Sequence, residues 1–208
     1  MTIRKNEDWG TTVFRPENLV TCASDAAASQ LITEHYVQKR LLPAIAIVNS
    51  NLGRALGSNG SDANAHTMQA TPFDLIEITF TDDSNREQVV LALGYGLLRK
   101  SWWRSEVVAA MNTSFIGDWD CAPRSHPNDG RFDLIKVKKE MNSRQRLFAW
   151  RRLGLATHLP HPQISVRQLT SFEADCSAEP NLYVDDQRFS CVKRCKFSLI
   201  PDAITLYW

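Results

Sequence analysis

The segment Pro127-Asn128-Asp129-Gly130 runs straight into the alternating stretch Phe132-Asp133-Leu134-Ile135-Lys136-Val137. Proline presets φ, Asn and Asp side chains bond their own backbone, and glycine accepts a left-handed φ, so these four residues reverse the chain. A strand follows, with its apolar side chains gathered on one face. The same texture fills most of the chain. Residues 74–81 alternate, 82–85 turn, and 87–98 read as the returning arm of a hairpin. Further strands are expected at 106–116, 131–137, 164–175, 182–190 and 192–207, the last broken at Pro201-Asp202. Between them Asn142-Ser143 caps a basic amphipathic helix to about Leu153. Its Leu147, Phe148 and Trp150 lie on one side, with Arg144, Arg146, Arg151 and Arg152 elsewhere.

The first third has a different pattern. Residues 1–17 form a polar segment. A short strand at 19–23 leads to the helix-start pair Ser24-Asp25, a helix over 26–38 and the continuous apolar run at 44–48. Strand, helix and buried strand make a βαβ unit. A short helix is expected at 51–56, ending at Gly57. The chain thus divides into 1–17, an α/β unit at 18–57, a Ser/Asn/Gly linker at 58–67 and a β-rich domain at 68–208. The fold class is α+β, a short βαβ unit followed by an antiparallel β-sandwich-like domain.

Composition removes several functions. A net charge of +1 and the absence of an RNA-binding signature argue against nucleic acid. No apolar run approaches the roughly 20 residues of a membrane span, and the polar N-terminus is unlike a signal peptide, so the expected location is cytoplasmic. The five cysteines lack zinc spacing and read as buried or free thiols. His126, His158 and His161 sit in proline-rich loops, where loop histidines without ligand spacing are the plain reading. Trp102-Trp103-Arg104 and Arg151-Arg152 suit peripheral contact with a membrane surface.

Several stretches fall in a telling order: a strand reaching Asn112 and Phe115, the loop at 120–123, the turn at 128–130, an aromatic-basic helix, Thr157-His158 before His161-Pro162, and the late Tyr183-Val184-Asp185-Asp186-Gln187-Arg188. The set resembles the second domain of diacylglycerol-kinase lipid kinases, within the NAD kinase/diacylglycerol kinase-like superfamily. The resemblance implies that Asp185 holds the position of the catalytic base and that Asp129 and Asp133 match a structural magnesium turn. It also implies that Ala23-Ser24-Asp25-Ala26-Ala27 and residues 49–57 stand where phosphate-binding loops belong. There Asp25, Asn51 and Arg54 are the nucleotide-site candidates.

The family's phosphate-loop glycines are replaced by residues carrying a Cβ, its Asp-Gly-Glu is Asp185-Asp186-Gln187, and the first half of its nucleotide domain has no counterpart before residue 18. The expected protein is a degenerate, N-terminally truncated lipid-kinase relative, the βαβ unit being a remnant of the nucleotide domain. It would act without catalysis by binding a lipid, a partner chain or a copy of itself, with magnesium retained and ATP disfavoured. The alternative is a minimal kinase that uses Asp25, Asp129 and Asp185 with ATP and magnesium to phosphorylate diacylglycerol.

Overall fold

A computed structural model of the chain describes residues 10–47, 52, 53 and 66–208. The N-terminal part holds β1 (Thr11–Phe14), β2 (Val20–Cys22), α1 (Asp25–Val37) and β3 (Ile45–Ile47). There follow β4 (Thr67–Thr81), β5 (Glu87–Ala92), β6 (Tyr95–Arg99), β7 (Val107–Met111), β8 (Phe115–Ile116), β9 (Trp119–Asp120) and β10 (Phe132–Val137). The rest comprises α2 (Ser143–Leu153), β11 (Ile164–Leu169), β12 (Ser171–Ala174), β13 (Asn181–Val184), β14 (Gln187–Phe189) and β15 (Arg194–Tyr207). The expected short helix at 51–56 lies outside the described residues apart from Leu52 and Gly53, as does most of the expected linker.

The two longest strands, β4 and β15, form an antiparallel ribbon from Arg194↔Thr81 to Tyr207↔Ala70, with a register shift between Ile200 and Ile204 at the expected Pro201-Asp202 break. Their sheet runs β1-β4-β15-β3-β2, and β5 and β12 pair with the far ends of β4 and β15. The βαβ unit forms as expected: β2 pairs parallel to β3. β3 then pairs parallel to β15, so the unit and the C-terminal strand share one sheet. A second sheet, β11-β10-β7-β6-β13-β14, is antiparallel throughout.

Alternation along the strands gives each sheet two apolar faces. Ile76, Ile78, Phe80 and Phe197 of the first sheet pack with Leu98, Ala110, Leu134 and Leu182 of the second to make the sandwich core. On the other side of the first sheet, Phe73, Leu75 and Leu206 meet Ala28 and Ile32 of α1. On the outer side of the second, Tyr95, Leu97, Ala109 and Ile135 form a further cluster that Leu153 of α2 touches.

Four elements depart from the sequence expectation. Residues 11–14 are an edge strand on β4. The expected strand 87–98 is two strands in different sheets, broken at Leu93-Gly94, and 164–175 likewise divides at Thr170 between β11 and β12. Helix α2 is turned around. Its capping box of Asn142 and Gln145 holds as expected, yet Arg146 is 6% exposed while Phe148 and Trp150 are about half exposed, at 49% and 47%. The Arg146 guanidinium explains the rotation. It donates to the carbonyls of Met141, Trp102, Ser105 and Lys138 at 2.7–2.9 Å, so this buried cation is met by carbonyl dipoles.

The sheets approach most closely at Gly96. A Cβ there would lie 2.5 Å from Ile78 Cδ1 and 2.7 Å from Phe197 Cε1. Gly96→Ala is therefore expected to destabilise the sandwich by about 1–3 kcal/mol, the usual cost of overpacking a filled core. Gly154→Ala, where nothing lies within 4 Å, is the control. Equal urea midpoints for the two variants would contradict this account of the interface.

Candidate functional site

The β13–β14 hairpin closes through Asp185 and Asp186, with φ of 44° and 71°. Two left-handed residues in a two-residue loop match the strand twist, and Asp tolerates that region better than most side chains. The geometry drives the Asp185 side chain inward, where the residue is 1% exposed. Its Oδ1 accepts the N–H of Gly94 (2.9 Å) and of Tyr95 (2.8 Å). Its Oδ2 accepts the N–H of Leu93 (2.7 Å) and the hydroxyl of Ser29 on α1. The neighbouring Asp186 takes the Tyr95 hydroxyl at 2.8 Å and returns its own N–H to the same oxygen at 3.0 Å. Burial pushes the Asp185 carboxyl up to about 7, assisted by the charge of Asp25 and opposed by the Ser29, Tyr95 and Leu93 hydrogen bonds.

Asp25 opens α1 close by, and its Oδ2 accepts the Leu52 N–H at 3.4 Å. Ser24 is the N-cap, its hydroxyl accepting the Ala27 N–H at 3.2 Å. A helix N-terminus holds a phosphate through free N–H groups and positive potential. Here the chain's own hydroxyl takes one of those groups and a carboxylate occupies the first turn. Asn51 and Arg54 lie outside the described residues.

The turn at 128–130 forms as expected and is tied down from β4. Asp74, fully buried, accepts the N–H of Gly130 (2.9 Å) and of Asp202 (2.8 Å), so one carboxylate fixes both the turn and the β15 bulge. Asn112 bridges this corner to the Asp185 turn by donating to Asp74 O (2.7 Å) and Leu93 O (2.9 Å). Asp129 accepts from the Arg131 N–H (3.0 Å) and from Gln168 (3.2 Å), and Asp133 is buried in β10 beside Ser125. Burial raises the carboxyls of Asp74, Asp129 and Asp133 above the ordinary range. Magnesium demands near-octahedral oxygen ligation. The charge of Asp129 also raises the carboxyls of Asp133 and Asp74, so these acidic side chains share one neighbourhood; among the described residues no three acidic, His or Cys side chains converge as ligands.

The three loop histidines also hold separate neighbourhoods. Nδ1 of His126 accepts the Asn128 N–H, Nδ1 of His161 accepts the Gln163 N–H, and Nε2 of His158 meets Cys121 O at 3.1 Å.

Sequence reasoning missed one feature. Between α2 and the outer face of the second sheet lies a cavity of about 320 Å³. Leu97, Ala109 and Ile135 form its floor; Ala149 and Leu153 of α2 lie over it; Trp102, Trp103, Trp119 and Trp150 enclose it. The tryptophans interlock, with Trp119 edge-on to Trp102 at 6.0 Å and to Trp150 at 6.3 Å between centroids. Arg99 stands between Trp102 and Tyr183 at 4.4 and 4.3 Å from their rings. Four tryptophans within fifty residues of one another were the available signal.

No family model matches this chain, and no curated protein matches it. Solved structures do. One, titled "Crystal structure of a putative diacylglycerol kinase from Bacillus anthracis str. Sterne", superposes with a TM-score of 0.60 at 13% identity, covering 91% of this chain and 77% of that one. A second structure from the same organism, described as a diacylglycerol kinase, gives 0.59 with the same identity and coverage. This chain has the fold of those diacylglycerol kinases. The α+β architecture expected from the diacylglycerol-kinase resemblance is therefore the one observed.

The Asp185 carboxyl holds its proton to about pH 7, whereas in an unfolded chain it ionises near 3.8. Between those limits the folded state binds more protons, so this group makes stability fall as pH rises from about 4 to about 7. Asp185→Asn is expected to flatten that slope in urea midpoints measured at pH 5 and pH 7.5. Asp185→Ala leaves three buried N–H groups without their acceptor and is expected to cost on the order of 3 kcal/mol or more. An Ala variant as stable as the parent would contradict the cage.

Proposed function

We propose that this chain binds a lipid in the cavity beneath α2 and acts through that binding, without phosphoryl transfer. The cavity carries the reading. Its wall is almost wholly aliphatic and aromatic, and its volume lies in the range of small-molecule sites. The one cationic side chain on the wall, Arg146, has its guanidinium committed to four carbonyls. The half-exposed Trp103, Phe148 and Trp150 share this edge with the basic Arg151 and Arg152, a combination suited to the surface from which a lipid would be drawn. Among the described residues no helix is long and apolar enough to cross a membrane.

The geometry of Asp185 supports the non-catalytic part. A general base needs a lone pair within reach of the hydroxyl it deprotonates. Both oxygens of Asp185 already accept two hydrogen bonds each from the chain. A carboxyl at about 7 favours the second reading, a minimal kinase, because that value suits a base. Phosphate transfer from ATP to dioctanoylglycerol that Asp185→Asn abolishes would establish it.

Tryptophan emission during titration with dioctanoylglycerol tests the primary reading. The expected result is a saturable blue shift that Ala149→Phe, which fills the cavity from α2, weakens at least tenfold. An unchanged response in the Phe variant would place the ligand elsewhere.

A further inference from the structure

Arg99 closes β6 on the outer face of the second sheet, the face that carries Tyr95 and Leu97, and it is half-buried. Its guanidinium stands between Trp102 and Tyr183, 4.4 and 4.3 Å from the ring centroids. Aromatic rings hold a guanidinium by its flat faces and leave its edges for hydrogen bonds. Here no edge finds one. Nε is enclosed and has no partner, and among the described residues no carbonyl or carboxylate meets the Nη pair at the tip. Asn181, directly across the ladder from Arg99, gives its Oδ1 to Arg188 at 3.4 Å instead. Arg188 is in turn cross-strand from Tyr183, which puts a second cation beside the same ring. Arg146 shows the contrast, since four carbonyls meet that cation. A cation taken partly out of water and given no acceptor is costly unless a ligand supplies one.

We propose that the Nη edge of Arg99 is an oxyanion site, which takes a carboxylate or a phosphate monoester through two parallel N–H groups. The closed Nε side directs the anion to the tip, where Nη1 and Nη2 present a fork that matches two coplanar oxygens. The rings fix that fork before any ligand arrives, so little freedom is lost on binding. The site adjoins the cavity beneath α2. Trp102 belongs to both, and Leu97 on the cavity floor lies two residues along the same face, about 7 Å away at strand spacing. An amphiphile with its chain in the cavity and a small free oxyanion present the same chemistry to Arg99. The site goes beyond the lipid-binding reading and does not depend on it, because the anion meets Arg99 and not the cavity wall.

The test titrates the protein with acetate, inorganic phosphate, decanoate and decyl phosphate, at an ionic strength held constant with chloride. Tryptophan emission and the ¹⁵N-bound Nη protons of Arg99 report binding. Saturable binding with a downfield shift of those protons is expected. Arg99→Lys keeps the charge and loses the fork, and is expected to weaken binding at least about tenfold, the value of hydrogen bonds to a charged group. Arg167→Gln removes one charge from β11 at the far edge of the sheet and is expected to change affinity by less than about twofold. Decanoate or decyl phosphate binding about tenfold tighter than acetate or phosphate identifies an amphiphile as the source, and equal affinities identify a small free oxyanion. No saturable response to any of the four anions overturns the proposal. So does a loss in Arg167→Gln equal to that in Arg99→Lys, which would mean a diffuse positive field and no site. Dioctanoylglycerol binding where no anion binds overturns the oxyanion site and leaves the lipid cavity standing. Anions that bind Arg99 where dioctanoylglycerol does not keep the site and remove the lipid reading. Should the Lys variant fail to fold, the Nη protons of the parent decide, and signals that no anion moves overturn the proposal.

Discussion

The carboxylate of Asp185 is the point on which the sandwich is hung. A strand that leaves one sheet to join the other must leave the N–H groups of the crossover unpaired, and buried N–H groups need acceptors. β5 belongs to the first sheet and β6 to the second, and the crossover between them is Leu93-Gly94. Asp185 accepts from both of these and from Tyr95, then reaches Ser29 on α1. One side chain thereby joins the helix of the βαβ unit, the crossover and a hairpin of the second sheet. Asp74 repeats the device at the turn before β10 and the bulge in β15. These carboxylates serve as substitute ladder partners where the strands break off.

Much of the fold was legible because it depended on local chemistry. Asn142 and Gln145 announced the start of α2, Pro127 to Gly130 announced a turn, and Pro201-Asp202 announced the interruption in β15. The βαβ unit followed from Ser24-Asp25 and the apolar run after Pro43. What stayed hidden was decided at long range. Nothing in residues 87–98 says that the strand changes sheets, because the reason is an aspartate some ninety positions later. The orientation of α2 was misread for the same kind of reason. Its arginines resembled a solvated face, yet carbonyls from residues 102, 105, 138 and 141 converge on Arg146 and turn that face inward.

The polar corner and the apolar cavity share a wall. Strand β6 gives the N–H of Tyr95 to Asp185, and two residues on Leu97 lines the cavity. Tyr183 on β13 stacks with Arg99, which in turn covers Trp102 at the cavity edge, and β13 runs directly into the Asp185 turn. A chain that lost the chemistry of one site could thus keep the other intact, since the carboxylate that holds β6 and β13 in place supports the cavity whether or not it ever moves a proton.

The β4–β15 ribbon has a kinetic consequence. Its paired residues lie more than a hundred positions apart in sequence, as with Thr81 and Arg194. In the second sheet, by contrast, β6 pairs with β7, its neighbour in the chain, and β10 with β11 across a short helical excursion. Loop closure over so long a separation is entropically costly and slows assembly. The second sheet can therefore gather early, while α1, β2 and β3 wait for a final strand to give them an edge. Until that strand docks, the edges of β4 and β3 that it pairs with are open, and the interval before docking is when self-association competes most strongly with folding.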